Sequence, residues 1–309
     1  MNSKVKIFKR IPKNIPYDDS VIWNYDIGKF IAKIPKNEMW DLIVTSPPYN
    51  IGKNYESRTS INEYIDWQAS IIKEIVGNLK KNGSICWQVG NYVENGYISP
   101  LDYIFHPIFN DLGLKLRNRI VWHFGHGLHQ RRRFSGRYEV VLWYTKTDDY
   151  TFNLDAVRVP PKYPGKRAYK GPNVGKLSSH PLGKNPEDVW EVREAEADIW
   201  NIPNVKGGHV EKTEHPCQFP VGLVERLILA LSNRGDHIFD PFMGAGSAGV
   251  AALLHNRRFW GCEIDPEYAR LSKQRLDAVL TGSARFRSHA RPLYDHRASP
   301  LSVRPNEDA

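Results

Sequence analysis

The stretch Phe239-Asp-Pro-Phe-Met-Gly-Ala-Gly-Ser-Ala-Gly249 constrains the fold of this chain more than any other. It starts in a short apolar run, residues 237–240, and runs into helical spacing over 246–255. Gly244 and Gly246 let the backbone turn sharply and approach a ligand closely. Residues 258–263 read as the next strand and end on Glu263, 19 residues after Gly244. Strand, glycine turn, helix and strand form one unit of a parallel α/β sheet, whose ligands bind at the carboxyl ends of the strands. An acid at that distance can accept hydrogen bonds from both ribose hydroxyls of a nucleoside cofactor. The spacing is not GxGxxG and no phosphate-cradling lysine follows, which disfavours dinucleotides and ATP.

The rest of the chain repeats the alternation. Residues 21–25, 40–45 and 85–89 are apolar runs of strand type. Tyr64, Trp67, Ile71, Ile72, Ile75, Val76 and Leu79 fall at helical spacing within 62–80, and Asn82-Gly83 ends that segment. Residues 101–112 look helical, and 119–124 and 138–145 look like antiparallel neighbours. Helices follow over 219–231 and 266–280, the latter with Asp265 placed to cap it and Pro266 in its first turn.

A second motif sits directly after the strand 40–45: Ser46-Pro47-Pro48-Tyr49. The two prolines stiffen the backbone and remove two N–H donors. The Ser46 hydroxyl and the Pro47 carbonyl can accept hydrogen bonds, and Tyr49 offers a flat face for a planar ring. Such a site suits the exocyclic amino group of a nucleobase. Its lone pair is delocalised into the ring, and accepting bonds from both its hydrogens frees that pair for an electrophilic methyl. A base must leave the duplex stack to reach such a pocket.

Together the two motifs resemble those of the S-adenosylmethionine-dependent amino-methyltransferases of DNA, over about residues 21–280. Ser46, Pro47, Pro48 and Tyr49 resemble the catalytic motif, and Asp240, Pro241, Phe242, Gly244, Gly246 and Ser247 the cofactor loop. The catalytic motif comes first, an order similar to the circularly permuted β-group; protein glutamine methyltransferases carry the reverse order. The resemblance implies a Rossmann-like, mostly parallel sheet with one antiparallel strand. It implies S-adenosyl-L-methionine as cofactor, with Asp26 on the adenine amino group, Glu263 on the ribose, Ile264 on the adenine ring, and His215 and Pro216 near the methionine end. Ser in the first motif position usually goes with cytosine N4 and Asp or Asn with adenine N6. Ser46 therefore favours cytosine, while Tyr49-Asn50-Ile51 also looks like the adenine enzymes. RNA methylation, and a non-catalytic nucleic-acid-binding module with a relic cofactor fold, remain as alternatives.

Charge adds a partner. The net charge is +9, and a basic balance suggests a polyanion such as nucleic acid. Residues 156–186 contain seven Lys or Arg and no Asp or Glu, with six Pro and four Gly, so the charge sits on an irregular insert. The resulting division is an N-terminal extension (1–20), a catalytic half (21–150), a target-recognition insert (151–210), a cofactor half (211–280) and a basic tail (281–309). Asn50, Lys53, Arg131, Arg132, Arg133, Lys162, Lys166, Arg167, Lys170 and Lys176 are the expected contacts to double-stranded DNA. A homodimer and a cognate restriction endonuclease stay open as partners.

The three cysteines, Cys86, Cys217 and Cys262, are far apart, which fits a reducing, prokaryotic-type cytoplasm. No apolar stretch reads as a membrane span or signal peptide. Pro216-Cys217-Gln218 imitates the nucleophile motif of cytosine-C5 methyltransferases, yet it lies upstream of the cofactor loop in His-Pro-Cys, so Cys217 is expected not to be catalytic. His123, His126 and His129 lack carboxylate or thiol companions, and no metal is expected.

Overall fold

A computed structural model describes residues 5–52, 58–124, 129–161, 163, 165–191, 202–206 and 208–287. Its strands are β1 (Lys6–Phe8), β2 (Val21–Asn24), β3 (Trp40–Thr45), β4 (Leu79–Val89), β5 (Asn91–Glu94), β6 (Tyr97–Pro100), β7 (Lys115–His123), β8 (Tyr138–Thr145), β9 (Val189–Glu191), β10 (His237–Asp240) and β11 (Arg258–Glu263). Its α-helices are α1 (Ile27–Ile31), α2 (Ile61–Gly77), α3 (Leu101–Asp111), α4 (Val221–Leu231), α5 (Ser247–Leu254) and α6 (Pro266–Leu280). Nine strands form one sheet in the order β1-β2-β11-β10-β3-β4-β8-β7-β9; β5 and β6 pair as a separate hairpin.

Within the large sheet only β8 runs against the rest, antiparallel to both β4 and β7. The expected α/β architecture, mostly parallel with one antiparallel strand, is therefore present. Alternate strand residues serve opposite faces, as the pleat requires. Trp23 and Ile43 pack with α1, α2 and α3, whereas Ile22, Leu42 and Val44 pack with α4, α5 and α6; Trp40, two residues before Leu42, joins the first face because the register shifts between them. At the centre Trp40 stacks on Phe239, with ring centroids 4.0 Å apart and planes inclined by 7°.

Three local features differ from the sequence reading. The helix expected over 62–80 stops at Gly77, capped by Asn78, and β4 begins at once. Leu79 pairs with Trp40, and the register shifts before Leu42 meets Ser84, so Asn82-Gly83 lies inside the strand at an irregularity rather than ending a helix. Lys6–Phe8, within the expected extension, adds a parallel edge strand to β2. Val189–Glu191, within the expected insert, pairs with β7 at the other edge.

The insert has order of its own. Antiparallel bridges join Val159 to Lys184 and Arg167 to Leu177. Arg158 bonds Asp155 and the Gly183 carbonyl, Arg167 the Gly175 carbonyl, and Lys184 pairs with Glu187. Part of its positive charge thus builds the arm, leaving Lys166, Lys170 and Lys176 exposed.

Candidate active site

The centre of the sheet brings the two motifs together. β3 and β10 are adjacent, so Ser46–Tyr49 and the glycine loop leave the same carboxyl edge. Thr45 at the end of β3 donates its hydroxyl to Asp240 Oδ1 at 2.6 Å, and the Phe242 N–H donates to the same oxygen at 3.1 Å. Burial pushes the Asp240 carboxyl up to about 7, against those two bonds. Its other oxygen, Oδ2, is buried without a partner among the described residues.

The loop is held from beneath by α6. Ser272 Oγ donates to the Gly244 carbonyl at 2.6 Å, and Arg275 to the Ala245 carbonyl. Gly244 and Gly246 have φ of +48° and +74°, in the left-handed region. A Cβ on Gly244 would stand 2.9 Å from His215 Nε2, and one on Gly246 3.0 Å from Ser272. The Gly244 N–H donates to Glu263 Oε2 and the Asp265 N–H to Oε1, both at 2.9 Å. Burial nevertheless raises Glu263 to about 7.

Other expected cofactor contacts gather on the same edge. Asp26 caps α1 by accepting from the Lys29 N–H, next to β2, whose Asn24 holds the Glu263 and Ile264 carbonyls. Ile264 is 60% exposed, an apolar face open beside the carboxylate. His215 is buried against Gly244 and Tyr268, and burial, then Lys212, lower it to about 4. Pro216 is exposed beside it. Ser247 faces inward: its hydroxyl bonds the Phe219 carbonyl at 2.8 Å.

At the other motif, Ser46 Oγ lies 3.1 Å from the Tyr49 hydroxyl, which donates to Glu139 Oε2 at 3.5 Å. Gln88 Nε2 donates to the same Oε2 at 2.5 Å. Burial raises Glu139 above the usual carboxylate range and, with the Glu139 charge, holds the Tyr49 phenol well above its own. Gly90 touches the Tyr49 ring, where a Cβ would stand 3.2 Å from Cε2. Tyr64 donates to the Pro48 carbonyl at 2.7 Å and fixes the turn. Sequence reasoning missed Gln88 and Glu139. They meet across β4 and β8, 51 residues apart, with no local pattern to join them.

The expected DNA contacts divide. Arg131, Arg132, Lys166, Arg167, Lys170 and Lys176 are exposed, and Arg133 is half-buried. Asn50 is buried with φ +59°, and its amide closes the 50–59 loop by bonding the Thr59 N–H and carbonyl, both at 2.8 Å. Lys53, Lys162 and His126 lie outside the described residues. Among the described residues no group of three metal-ligating side chains occurs, and no helix is long and apolar enough to cross a membrane.

Comparison with known proteins matches this arrangement. A family model described as DNA methylase, covering N6 and N4 enzymes, matches residues 40–274. The type II methyltransferase M.BglII of Bacillus subtilis is 46% identical over 268 residues, 86% of this chain and 71% of that protein. The DNA adenine methyltransferase YhdJ of Escherichia coli K12 is 33% identical over 82% of this chain and 81% of its own length. The solved cytosine-N4-specific PvuII DNA methyltransferase shares the fold, with TM-score 0.62 and 19% identity over 85% of this chain and 93% of that one. A DNA modification methylase of Thermus thermophilus, solved with S-adenosyl-L-methionine, has TM-score 0.58 at 23% identity over 90% and 95%. This chain belongs to the N6/N4 DNA methylase family: it is a DNA methyltransferase.

Proposed function

We propose that this protein transfers a methyl group from S-adenosyl-L-methionine to N4 of a cytosine rotated out of double-stranded DNA. The observation that carries the choice of base is Ser46 in the first motif position, on the network that ends at Glu139. The residues fit the cofactor. Among the described residues Asp240 Oδ2 is buried without a partner, Ile264 exposes an apolar face, and the Glu263 carboxyl lies at the same strand edge, bonded by the Gly244 N–H. When bound, S-adenosyl-L-methionine supplies an electrophilic methyl group. Glu263 would hold its ribose, Asp26 and Ile264 its adenine, and the segment at His215 and Pro216 its methionine end, with residues 240–246 shaping the pocket.

The chain's own residues then present the amino group. Tyr49 has one hydroxyl hydrogen, and it points to Glu139. With that hydrogen bonded to Glu139, Ser46 is the donor in its bond to Tyr49 and keeps its lone pairs for accepting. An amino group has two hydrogens to give, and Ser46 Oγ with the Pro47 carbonyl accepts them. Glu139, anchored by Gln88, thus acts as a positioning residue that sets the polarity of the network. Tyr49, backed by Gly90, stacks on the base, and positioning carries much of the catalysis. The insert with Arg131–Arg133 supplies phosphate and base contacts.

The second reading is adenine N6. It is favoured by Tyr49-Asn50-Ile51 and by YhdJ, named an adenine methyltransferase. The test is to express the protein in a host lacking its own methylation and sequence the DNA by a method that separates N4-methylcytosine from N6-methyladenine, with Ser46→Ala as control. N4-methylcytosine at one recurring sequence, absent with Ser46→Ala, is expected. N6-methyladenine would refute the choice of base, and no methylation would refute the activity.

A further inference from the structure

Phe134 is 98% exposed. It sits in the loop between β7 and β8, directly after Arg131-Arg132-Arg133 and three residues before Arg137. The described part of the loop, residues 129–137, is held by hydrogen bonds. The Gln130 N–H donates to Ser135 Oγ at 3.0 Å, and the Phe124 N–H to the Arg137 carbonyl at 3.0 Å. The backbone is tied inward while the phenyl ring stands out in solvent.

Its place in the sheet matters. β7 runs parallel to the central strands of the sheet, so its loop leaves at the carboxyl edge, where the Ser46–Tyr49 segment also emerges. Glu139, five residues after Phe134, is in contact with Tyr49. The exposed ring is therefore carried on a basic loop at the same edge of the sheet as the Ser46–Tyr49 segment.

The other exposed rings on the basic surface are of a different kind. Tyr163 and Tyr169 carry hydroxyls and lie beneath Lys166 and Lys170. A phenyl ring accepts no hydrogen bond from DNA and cannot bond a phosphate, so what it gains there comes from leaving water for another apolar surface. A duplex with one base rotated out offers such a surface: two base planes with an empty gap between them. Apolar side chains of other DNA-binding proteins insert between neighbouring base steps. We propose that Phe134 enters the DNA stack at the place vacated by the target base, while the neighbouring arginines hold the flanking phosphates. The inference rests on the reading that a flipped base in duplex DNA is the substrate.

The test uses the full-length protein and a duplex carrying the sequence that the wild type methylates in the expressing host. Single-turnover methyl transfer is compared for wild type, Phe134→Ala and Phe134→Trp, on the matched duplex and on one with an abasic site opposite the target. Phe134→Ala is expected to slow transfer about ten- to hundredfold on the matched duplex, the range of one lost base–aromatic stack. The abasic partner, which makes extrusion easy, should bring it back to within a few fold of wild type. Phe134→Trp should stay near wild type throughout, and cofactor binding should be unchanged in both variants. Transfer by Phe134→Ala within twofold of wild type on the matched duplex overturns the proposal. So does equal slowing on both duplexes, which would mean that the ring acts elsewhere. A wild type that methylates no DNA removes the underlying reading instead.

Discussion

Cofactor binding should release a proton, and Glu263 should be its source. Burial holds this carboxyl at about 7, although two backbone N–H groups already bond it. Ribose hydroxyls donate to a carboxylate, so binding selects the ionised form. With a pKa of about 7, about nine-tenths of the free protein carries the proton at pH 6 and about a tenth at pH 8. Affinity should then fall about tenfold from pH 8 to pH 6, or about 1.4 kcal/mol. Calorimetry in buffers of different ionisation enthalpy should show about 0.9 proton released per cofactor at pH 6 and about 0.1 at pH 8. In Glu263→Gln the release and this pH dependence should shrink to what Asp240, also raised to about 7, contributes, with weaker binding at pH 8. The free protein should show the opposite trend. A carboxyl raised in the fold stabilises it fully below its unfolded value of about 4.5, and that contribution, about 3 kcal/mol, is lost as pH rises through about 7. Equal affinity at pH 6 and pH 8, or proton uptake on binding, would refute the reasoning.

The remaining predictions concern the base site and the arm. Glu139→Gln should lower single-turnover methyl transfer at least tenfold and leave cofactor affinity within twofold, because it disturbs the donor order from Ser46 to Tyr49; unchanged transfer would exclude that role. Replacing Lys166, Lys170 and Lys176 by glutamine should flatten the salt dependence of DNA binding, by about 0.9 in slope for each phosphate that these side chains cease to neutralise, without touching cofactor affinity. An unchanged slope would place the DNA footprint elsewhere. Cys217→Ala should retain methyl transfer, and its loss in a protein that folds and binds cofactor would show that the thiol takes part.

Much of the fold could be read from residue type alone. β10, β11 and α6 match their expected bounds because Asp240-Pro241, Glu263 and Asp265-Pro266 punctuate them. The end of α2 was hidden. Asn82-Gly83 is the stronger local stop signal, but the pairing of Leu79 with Trp40 claims the chain earlier. Lys6–Phe8 has little pattern of its own and becomes a strand because β2 has a free edge. Asp26 lies two residues past β2 as the cap of α1, whereas Asp240 and Glu263 stood out because they end strands. Glu139 begins one, after an irregular loop, and only the crossing of β4 and β8 gives it meaning. Asn50 shows another hidden tie: beside the motif in sequence, its amide bonds the backbone of Thr59.

The adjacency of β3 and β10 also sets when this enzyme can exist. Thr45 and Asp240 touch across 195 residues of sequence. A ribosome adding about 5–20 residues each second needs about 10–40 seconds to cover that distance. Throughout that interval β3 has a bare edge, and Trp40 waits for Phe239, which stacks on it. The Ser46–Tyr49 segment leaves the ribosome early but has no glycine loop beside it until β10, α5 and β11 follow. A nascent or truncated chain is therefore inactive, and the power to mark DNA arrives late in translation.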